Sequence, residues 1–286
     1  MKTTLKAAVR GYYDTQILRI QIGGRIIANF KAALGQDPGE KEEELGKKEV
    51  QILNKLRVEY KKITDGAARF PSRKKFKGTR LISQYAELVM VANYNDLLQV
   101  EDRLYKEVDS LLEYFEIYNQ FLAPIKGCGT LMSGVIITEL DIHKAPYPSS
   151  FWMYCGYDVA EDGRGRSKRK EHLVMRPYIN KKGEEKERKS ITYNPFIKTK
   201  MSGVLGPSFI KQRNEPYSGI YYQQKNRLEH HETYKEVSKG HRHNMSIRYM
   251  MKRFLVDLHV KWLETEGLPP TEEYAVAKLG RTHKAA

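Results

Sequence analysis

The chain has 286 residues, of which 40% are hydrophobic, so it is long enough to bury a core of its own. No apolar run approaches the roughly 20 residues that a bilayer crossing needs, and the opening residues, MKTTLKAAVRGYYDTQ, lack the apolar segment of a signal peptide. Two cysteines, Cys128 and Cys155, are too few for a disulfide framework, which favours a reducing cytoplasm. Neither has an adjacent base, so both are predicted to be small core residues rather than reactive thiols.

The net charge of +15 is concentrated in one part of the chain. Residues 164–253 hold 23 Lys and Arg against 8 Asp and Glu, an excess of 15, whereas the remaining 27 basic and 27 acidic residues cancel. A block of this kind is typical of a surface that binds a polyanion, because each neutralised phosphate releases counterions. A basic surface without a ligand is the alternative interpretation. No membrane partner is expected, since the block lacks an amphipathic helix with a wide apolar face.

The first 120 residues are predicted to form a helical, coiled-coil-like arm. Apolar residues at helical spacing predict a helix over 3–34, although Gly23-Gly24 also fits a hairpin turn. A linker at 35–44, a second helix from about 42 to 63 and a basic loop at 69–80 follow. A third helix, ending near Leu122, carries an a/d seam of about three heptads with Glu101 as its polar break. The seam consists of Leu97, Leu104, Val108, Leu111, Phe115, Tyr118 and Leu122.

The apolar seam of the third helix needs a partner helix. A second copy of the chain would provide one, so we expect a homo-oligomer, most simply a dimer. The alternative is packing within one chain, against the predicted helix at 42–63.

Residues 121–286 are predicted to form a second domain. It contains a charged loop at 160–171, a β-hairpin around NKKGEEK and a helix over 194–213 that is interrupted near Gly203. A helix beginning near Pro216, a long helix over 243–267 and a short capped helix from Thr271 complete it. The expected fold class is therefore mainly α with a small β-hairpin.

Two glycines bracket Cys128 between two predicted helices, in the pattern of a helix-hairpin-helix. Glycine allows the backbone to come close to a phosphate. The first amides of the following helix would point at that phosphate with the positive end of the helix dipole. We predict that Gly127, Gly129 and Thr130 contact the sugar-phosphate backbone, of DNA ahead of RNA, without reading its sequence. A plain turn between two helices is the alternative interpretation.

Basic residues downstream of the hairpin are predicted to extend the DNA-binding surface. They are Arg164, Arg166, Lys168, Arg169, Lys170, Arg248, Lys252 and Arg253. Ser167 lies among these arginines, which could activate its hydroxyl and hold a phosphate. A phosphate-binding loop without a nucleophile is the interpretation that we favour.

Histidines and tyrosines of the basic block give weaker signals. His230, His231, His241 and His243 cluster in sequence, but no cysteine or carboxylate pair completes a metal-ligand set at familiar spacing, so no metal site is predicted. Three tyrosines lie among basic residues and either stack on bases or form the buried face of a helix. They are Tyr217, Tyr221 and Tyr222.

Three stretches follow one another in the order of a known domain: PIKGCGTLMSGVIITELDI, the turn HKAPYPSS, and FWMYCGYDV. They resemble the C-terminal domain of bacterial transposases of the insertion sequence 110/116/902 family, with Glu139, Asp141 and Gly156 at matching positions. The late segment NMSIRYMMKRFLVDLHVKW is similar to a basic helix of that family, so the resemblance covers about residues 120–265. It implies a role in DNA transposition and recombination, a structured RNA as an additional partner, and a serine nucleophile, for which Ser167 is the nearest hydroxyl.

The predicted arm departs from the family pattern. Members begin with a nuclease domain of RNase H fold that carries a four-acid metal site, whereas residues 1–120 are predicted to be helical and resemble the family's coiled-coil connector. Phosphoryl transfer in the family needs metal-bound acids. No cofactor is therefore expected in this chain, and Mg²⁺ only where a separate nuclease subunit supplies an acid site in trans. We expect a transposase-related DNA-binding protein; the alternatives are a strand-transfer recombinase using Ser167, or an RNA-binding or scaffold protein without catalysis.

Overall fold

A computed structural model describes residues 1–36, 45–65 and 70–271 of the chain. This part of the chain is mainly helical with one two-stranded antiparallel sheet, which confirms the expected fold class. The chain divides into two compact units, one formed by Ala7–Val108 and the other by Met1–Lys6 together with Asp109–Ala286. Among the described helices, none has the length and hydropathy that a bilayer crossing requires.

The helices and strands are numbered in chain order. The helices are α1 (Lys2–Ala33), α2 (Lys47–Thr64), α3 (Tyr85–Leu112), α4 (Thr130–Glu139), α5 (Pro148–Tyr154), α6 (Pro195–Lys200), α7 (Gly206–Lys211), α8 (Tyr217–His230) and α9 (Lys239–Thr265). The strands are β1 (Val174–Ile179) and β2 (Glu185–Ser190). Two π-helical segments, Tyr118–Leu122 and Met201–Leu205, precede α4 and α7. The predicted linker over 37–44 and the predicted helix over 272–286 lie outside the described residues.

The unit formed by Ala7–Val108 has a core made by α1, α2 and α3. Its buried residues are Ile26, Ile27, Leu53, Leu56, Ile82, Leu88, Val91 and Tyr94. Helix α1 continues through Gly23-Gly24, so the hairpin interpretation of these glycines is wrong. A Cβ at residue 23 would lie 3.2 Å from the Tyr94 ring, because α1 and α3 approach each other closely there. The absence of a side chain at residue 23 therefore allows the helices to pack closely.

The apolar seam of the third helix is shorter than predicted. Helix α3 ends at Leu112, and a break separates it from the π-helical segment that contains Leu122. The polar residue of the seam, Glu101, is buried and accepts hydrogen bonds from the Arg19 guanidinium of α1, with one N–O distance of 3.2 Å. A Cβ at Gly11 of α1 would lie 3.7 Å from Leu104. Helix α1 of the same chain therefore covers part of the seam.

The core of the second unit is built around α9. Its buried face carries Met250, Met251, Phe254, Leu255 and Leu258. The Phe254 ring contacts Phe209 of α7 at 5.5 Å between centroids, and Phe209 in turn stacks on Tyr217 of α8 at 5.0 Å. Helix α4 is buried from Met132 to Glu139. These contacts fix α4, α7 and α9, the three helices that position the residues considered next.

Strands β1 and β2 form the predicted hairpin. They pair in register from Val174↔Ser190 to Ile179↔Glu185, and a turn at 180–184 joins them. The hairpin has no buried face, since its residues are exposed or only partly buried. The helix predicted over 194–213 runs from Pro195 to Lys211 without a gap, and the π-helical segment Met201–Leu205 lies between α6 and α7 where an interruption was expected.

Candidate nucleic-acid interface

The hairpin turn is packed tightly against α7. Gly127 has a φ of 95°, a conformation that favours glycine. Its carbonyl accepts a hydrogen bond of 2.9 Å from the Ser208 hydroxyl, and the Lys126 carbonyl accepts one from the Asn214 side-chain amide. A Cβ at residue 127 would lie 3.0 Å from the Ser208 oxygen and 3.3 Å from the Phe209 ring. The sequence indicates a close approach to the backbone at Gly127, and in the structure α7 of the same chain makes that approach.

The start of α4 is partly exposed to solvent. Gly129 precedes the helix with an ordinary φ of −75° and has no side chain with which to cap it. The Thr130 hydroxyl donates a hydrogen bond of 2.8 Å to the Asp109 carboxylate. Because that carboxylate lies beside the positive end of the helix dipole, it lowers the electrostatic attraction that a phosphate would find there. Gly129 and Thr130 are accessible, but the charge beside them is negative.

A second group of predicted residues lies on the loop at 158–173. The loop begins with a tight turn, in which the Ala160 amide donates to the Arg164 carbonyl at 2.8 Å and the Arg166 amide to the Asp158 carbonyl at 3.1 Å. The Asp162 carboxylate accepts a hydrogen bond of 2.9 Å from the Arg164 amide. Four of the predicted basic side chains on this loop are exposed: Arg164, Lys168, Arg169 and Lys170. Arg253 on α9 is exposed as well.

Four cations meet where the loop packs on α6 and α9: Arg166, Lys198, Arg248 and Lys252, here called the cation cluster. Arg166 contacts one Asp158 carboxylate oxygen twice, at 2.9 Å and 2.8 Å. Lys198 donates to the Arg166 carbonyl at 2.8 Å, and Arg248 donates to the Asp158 carbonyl at 3.2 Å. Among the ion pairs of the described residues, the Arg166–Asp158 pair is the one that reaches the cluster.

Aromatic rings and a glycine hold these cations in place. The Lys198 ammonium lies 4.1 Å from the Tyr193 ring centroid, and the Lys252 ammonium lies 5.0 Å from that of Trp152. A Cβ at Gly165 would overlap the Arg248 guanidinium, so this glycine makes room for the arginine. The cluster is therefore fixed by carbonyl oxygens, rings and close packing, with a single carboxylate.

Burial and mutual repulsion destabilise the charged forms of the cluster. Burial, followed by the nearby Arg248, lowers the pKa of Lys198 to about 8. The same two causes lower the pKa of Lys252, and burial lowers the pKa of Arg248. A bound anion would reverse these effects, since negative charge favours the protonated lysines. The cluster thus has the electrostatics of a site for a phosphate.

The candidate nucleophile has a hydrogen-bonded histidine that the sequence analysis did not identify. The Ser167 hydroxyl lies 2.9 Å from Nδ1 of His172, and Nε2 of His172 lies 3.1 Å from the Asp162 carboxylate. His172 is buried, with 1% of its side chain exposed. Hydrogen bonds from the Arg164 amide and the His172 ring lower the pKa of Asp162. The spacing D-x4-S-x4-H over 162–172 was the sequence signal for this contact.

The other histidines do not converge. His230 contacts the Asn226 carbonyl at 2.9 Å, whereas His243 is bonded to the Tyr221 hydroxyl at 2.6 Å. Within the described residues, no group of three or more His, Cys, Asp or Glu side chains is arranged to hold a metal ion.

Tyrosines and cysteines of the second unit are mostly core residues. Tyr217 and Tyr221 are buried, whereas Tyr222 is 54% exposed. Cys128 and Cys155 are buried free thiols, as predicted, and burial raises the pKa of Cys128 to about 11. Tyr222 is therefore the tyrosine of this group that is available to stack on a base.

Comparison with known proteins gives no match: no protein-family model, no curated protein and no solved structure is significantly similar to the chain. The fold and the site define a helical protein with a cation cluster beside a hydrogen-bonded serine.

Proposed function

We propose that the chain is a transposase-related, cytoplasmic protein that binds DNA through its phosphates, with a role in transposition or recombination. The observation that carries the proposal is the cation cluster, in which Arg166 pairs with the Asp158 carboxylate and three further partly buried cations lie close by. The exposed basic residues of the loop at 158–173 would add sequence-independent affinity around it.

The physical argument rests on the cost of placing like charges together. Desolvation and repulsion oppose such a cluster in the free protein, as the lowered pKa of Lys198, to about 8, indicates. A phosphodiester supplies one negative charge and two accepting oxygens, and the planar guanidinium of Arg248 is suited to bind them. The rings of Trp152 and Tyr193 hold the lysine stems, which reduces the entropy lost on binding.

The remaining parts of the proposal rest on the sequence resemblance and, for the oligomer, on the apolar seam of α3. A structured RNA is the second partner, and Mg²⁺ enters with a separate nuclease subunit. A homo-oligomer, most simply a dimer, would hold two duplexes for strand transfer. Light scattering at micromolar concentration tests this, and a monomer mass would favour packing of the α3 seam within one chain.

Salt-dependent DNA binding tests the main proposal. Fluorescence anisotropy of a labelled duplex is measured between about 50 and 200 mM salt, where each phosphate contact contributes about 0.9 to the log–log slope. Lys252→Gln is expected to reduce that slope by about one. Lys186→Gln is the matched control, because Lys186 is an exposed hairpin lysine of the same basic block. Affinity that does not change with salt, or equal slopes for Lys252→Gln and the wild type, would contradict the proposal.

Strand transfer by Ser167 is the second candidate function, favoured by the short contact between its hydroxyl and His172. Supercoiled plasmid is incubated with the pure protein and Mg²⁺, in parallel with Ser167→Ala. Nicking that disappears in the variant supports this second candidate, whereas binding without nicking supports the DNA-binding function alone.

A further inference from the structure

We propose that the β1–β2 hairpin enters the major groove of duplex DNA and contacts base edges there with Arg176 and Arg188. The inference rests on the proposed function and goes beyond it, because it assigns groove contacts to an element outside the cation cluster. Phosphate binding at the cluster holds the duplex, and the hairpin lies in its groove.

The hairpin is a two-stranded ribbon that is open to solvent on both faces. Its strands pair in register from Val174↔Ser190 to Ile179↔Glu185, and neither strand has a buried residue. A ribbon of this kind gains little stability from its own packing, so both faces are available to a ligand. The major groove of B-DNA, about 12 Å wide, admits a two-stranded ribbon, whereas the minor groove is about half as wide.

The register places a cationic set of side chains on one face of the ribbon. Residues directly opposite each other in an antiparallel pair share a face, so Arg176 lies across from Arg188, and Tyr178 lies across from Lys186. The Arg188 guanidinium lies 5.0 Å from the Tyr178 ring centroid, as expected of diagonal neighbours on one face. This face, here called the arginine face, carries three cations and no carboxylate of the two strands.

The opposite face of the ribbon has no excess of positive charge. It combines one lysine with two glutamates and three apolar side chains: Met175, Pro177, Ile179, Glu185, Glu187 and Lys189. A polyanion is therefore complementary to the arginine face alone.

The arginine face is electrostatically unfavourable in the free protein. Like charges directly opposite each other destabilise a strand pair, and Arg176 and Arg188 form such a pair. Among the ion pairs of the described residues, none includes either arginine. Lys186 differs, because its ammonium lies 3.1 Å from the Glu184 carboxylate, which balances its charge. The two arginines are thus the cations of this face that a ligand would neutralise.

Duplex DNA supplies what the two arginines lack. A guanidinium binds the two acceptors of a guanine edge in the major groove, and the phosphates on either side of the groove offset the repulsion between the arginines. A six-residue strand is about 20 Å long, which exceeds the width of the groove.

Both ends of the hairpin join the region of the cation cluster. Strand β1 follows the loop at 158–173, which contains Arg166. Strand β2 is closely followed by Tyr193, whose ring contacts Lys198. A duplex held by a phosphate at the cluster therefore has its neighbouring groove beside the base of the hairpin.

A duplex with a filled major groove tests the inference. Glucosylated 5-hydroxymethylcytosine in place of cytosine puts sugars into the major groove and leaves the phosphates unchanged. Fluorescence anisotropy compares this duplex with the unmodified duplex of the same sequence. The wild type is expected to bind the modified duplex at least about fivefold more weakly, since a bidentate arginine–guanine contact accounts for a factor of about five or more.

Variants on the two faces show which face makes the contact. Arg176→Gln and Arg188→Gln are each expected to bind the unmodified duplex at least about fivefold more weakly, and the double variant to bind both duplexes equally. Arg176→Gln leaves the contact between Arg188 and Tyr178 in place, so it does not act through the fold of the hairpin. Lys189→Gln is the matched control, because it removes one positive charge from the opposite face and should keep the wild-type preference.

The outcomes separate this inference from the proposed function. A wild type that binds both duplexes equally but with salt-dependent affinity overturns the groove contact and leaves phosphate binding at the cluster intact. Equal losses in Arg188→Gln and Lys189→Gln overturn it as well. Duplex RNA has a deep, narrow major groove that excludes the ribbon, so an Arg188→Gln variant that loses affinity equally for RNA and DNA also overturns the inference. Affinity independent of salt overturns the proposed function itself.

Discussion

DNA affinity is expected to fall as the pH rises from 7 to 9, because of Lys198. Burial and the nearby Arg248 lower the pKa of this lysine to about 8 in the free protein, while Asp158 opposes the shift and Lys168 adds to it. A phosphate that binds the ammonium raises the pKa again. The charged form is therefore favoured in the complex, and affinity is highest below about pH 8 and is lost above it.

The magnitude follows from the pKa of Lys198 in the free protein, about 8. A group of that pKa is about 90% charged at pH 7 and about 10% charged at pH 9. If DNA binds the charged form, the dissociation constant rises about tenfold over this range, or about 1.4 kcal/mol. A lysine of ordinary pKa stays charged throughout, so other surface lysines contribute little to this change.

Anisotropy titrations at fixed salt between pH 7 and 9 measure the effect. Lys198→Arg is the informative variant, because arginine remains charged and its affinity should not vary with pH in this range. Lys198→Gln should bind more weakly and equally without pH dependence. A tenfold loss of affinity that persists in Lys198→Arg would show that another group causes it, and a wild type without pH dependence would refute the reasoning.

The remaining predictions compare Gly→Ala variants in two pairs, one pair for stability and one for DNA binding. Gly127→Ala should destabilise the protein by about 1–3 kcal/mol in chemical denaturation, because the φ of residue 127 is 95° and Ser208 is close. Gly129→Ala should change stability by less than about 0.5 kcal/mol, because residue 129 has an ordinary φ and open space around it. Gly165→Ala should displace the Arg248 guanidinium and weaken DNA binding with little change in melting temperature, whereas Gly240→Ala, with nothing nearby, should leave binding unchanged. Equal effects within either pair would contradict these assignments.

The helical fold could be predicted because it depends on local periodicity, but the end of α3 could not. The apolar seam continues in sequence past Leu112 to Phe115 and Leu122, and no glycine or proline marks the break. Phe115 and Leu122 are nevertheless partly or fully buried after the chain changes direction. An apolar pattern predicts which residues are buried, whether one helix or two carry them.

Some residues of the candidate site could be predicted from the sequence and others could not. Charge density predicted Arg248 and Lys252, which lie four residues apart on one helix and share a face. Lys198 was missed, because its role depends on α6 packing against the loop at 158–173, a contact between segments distant in sequence. His172 was missed although it is close in sequence to Ser167, because the turn that brings the two side chains together depends on backbone hydrogen bonds of the loop.

The stability of the protein offers a last, independent measure of the cation cluster. In the folded chain the pKa of Lys198 is lowered to about 8, whereas the unfolded chain keeps the ordinary value, so the unfolded state binds more protons between about pH 8 and 10.5. By linkage, Lys198 destabilises the fold below pH 8, and this penalty is relieved as the pH rises. Lys198→Met, which keeps the stem and removes the charge, should therefore raise the melting temperature at pH 7 by about 2–4 °C, corresponding to roughly 1 kcal/mol after allowance for partial exposure. Calorimetry at pH 7 and pH 10 measures the difference, and the gain should shrink at the higher pH. A variant that is less stable than the wild type at pH 7 would mean that charged Lys198 stabilises the fold, and would contradict a cluster whose charges are stabilised by a bound anion.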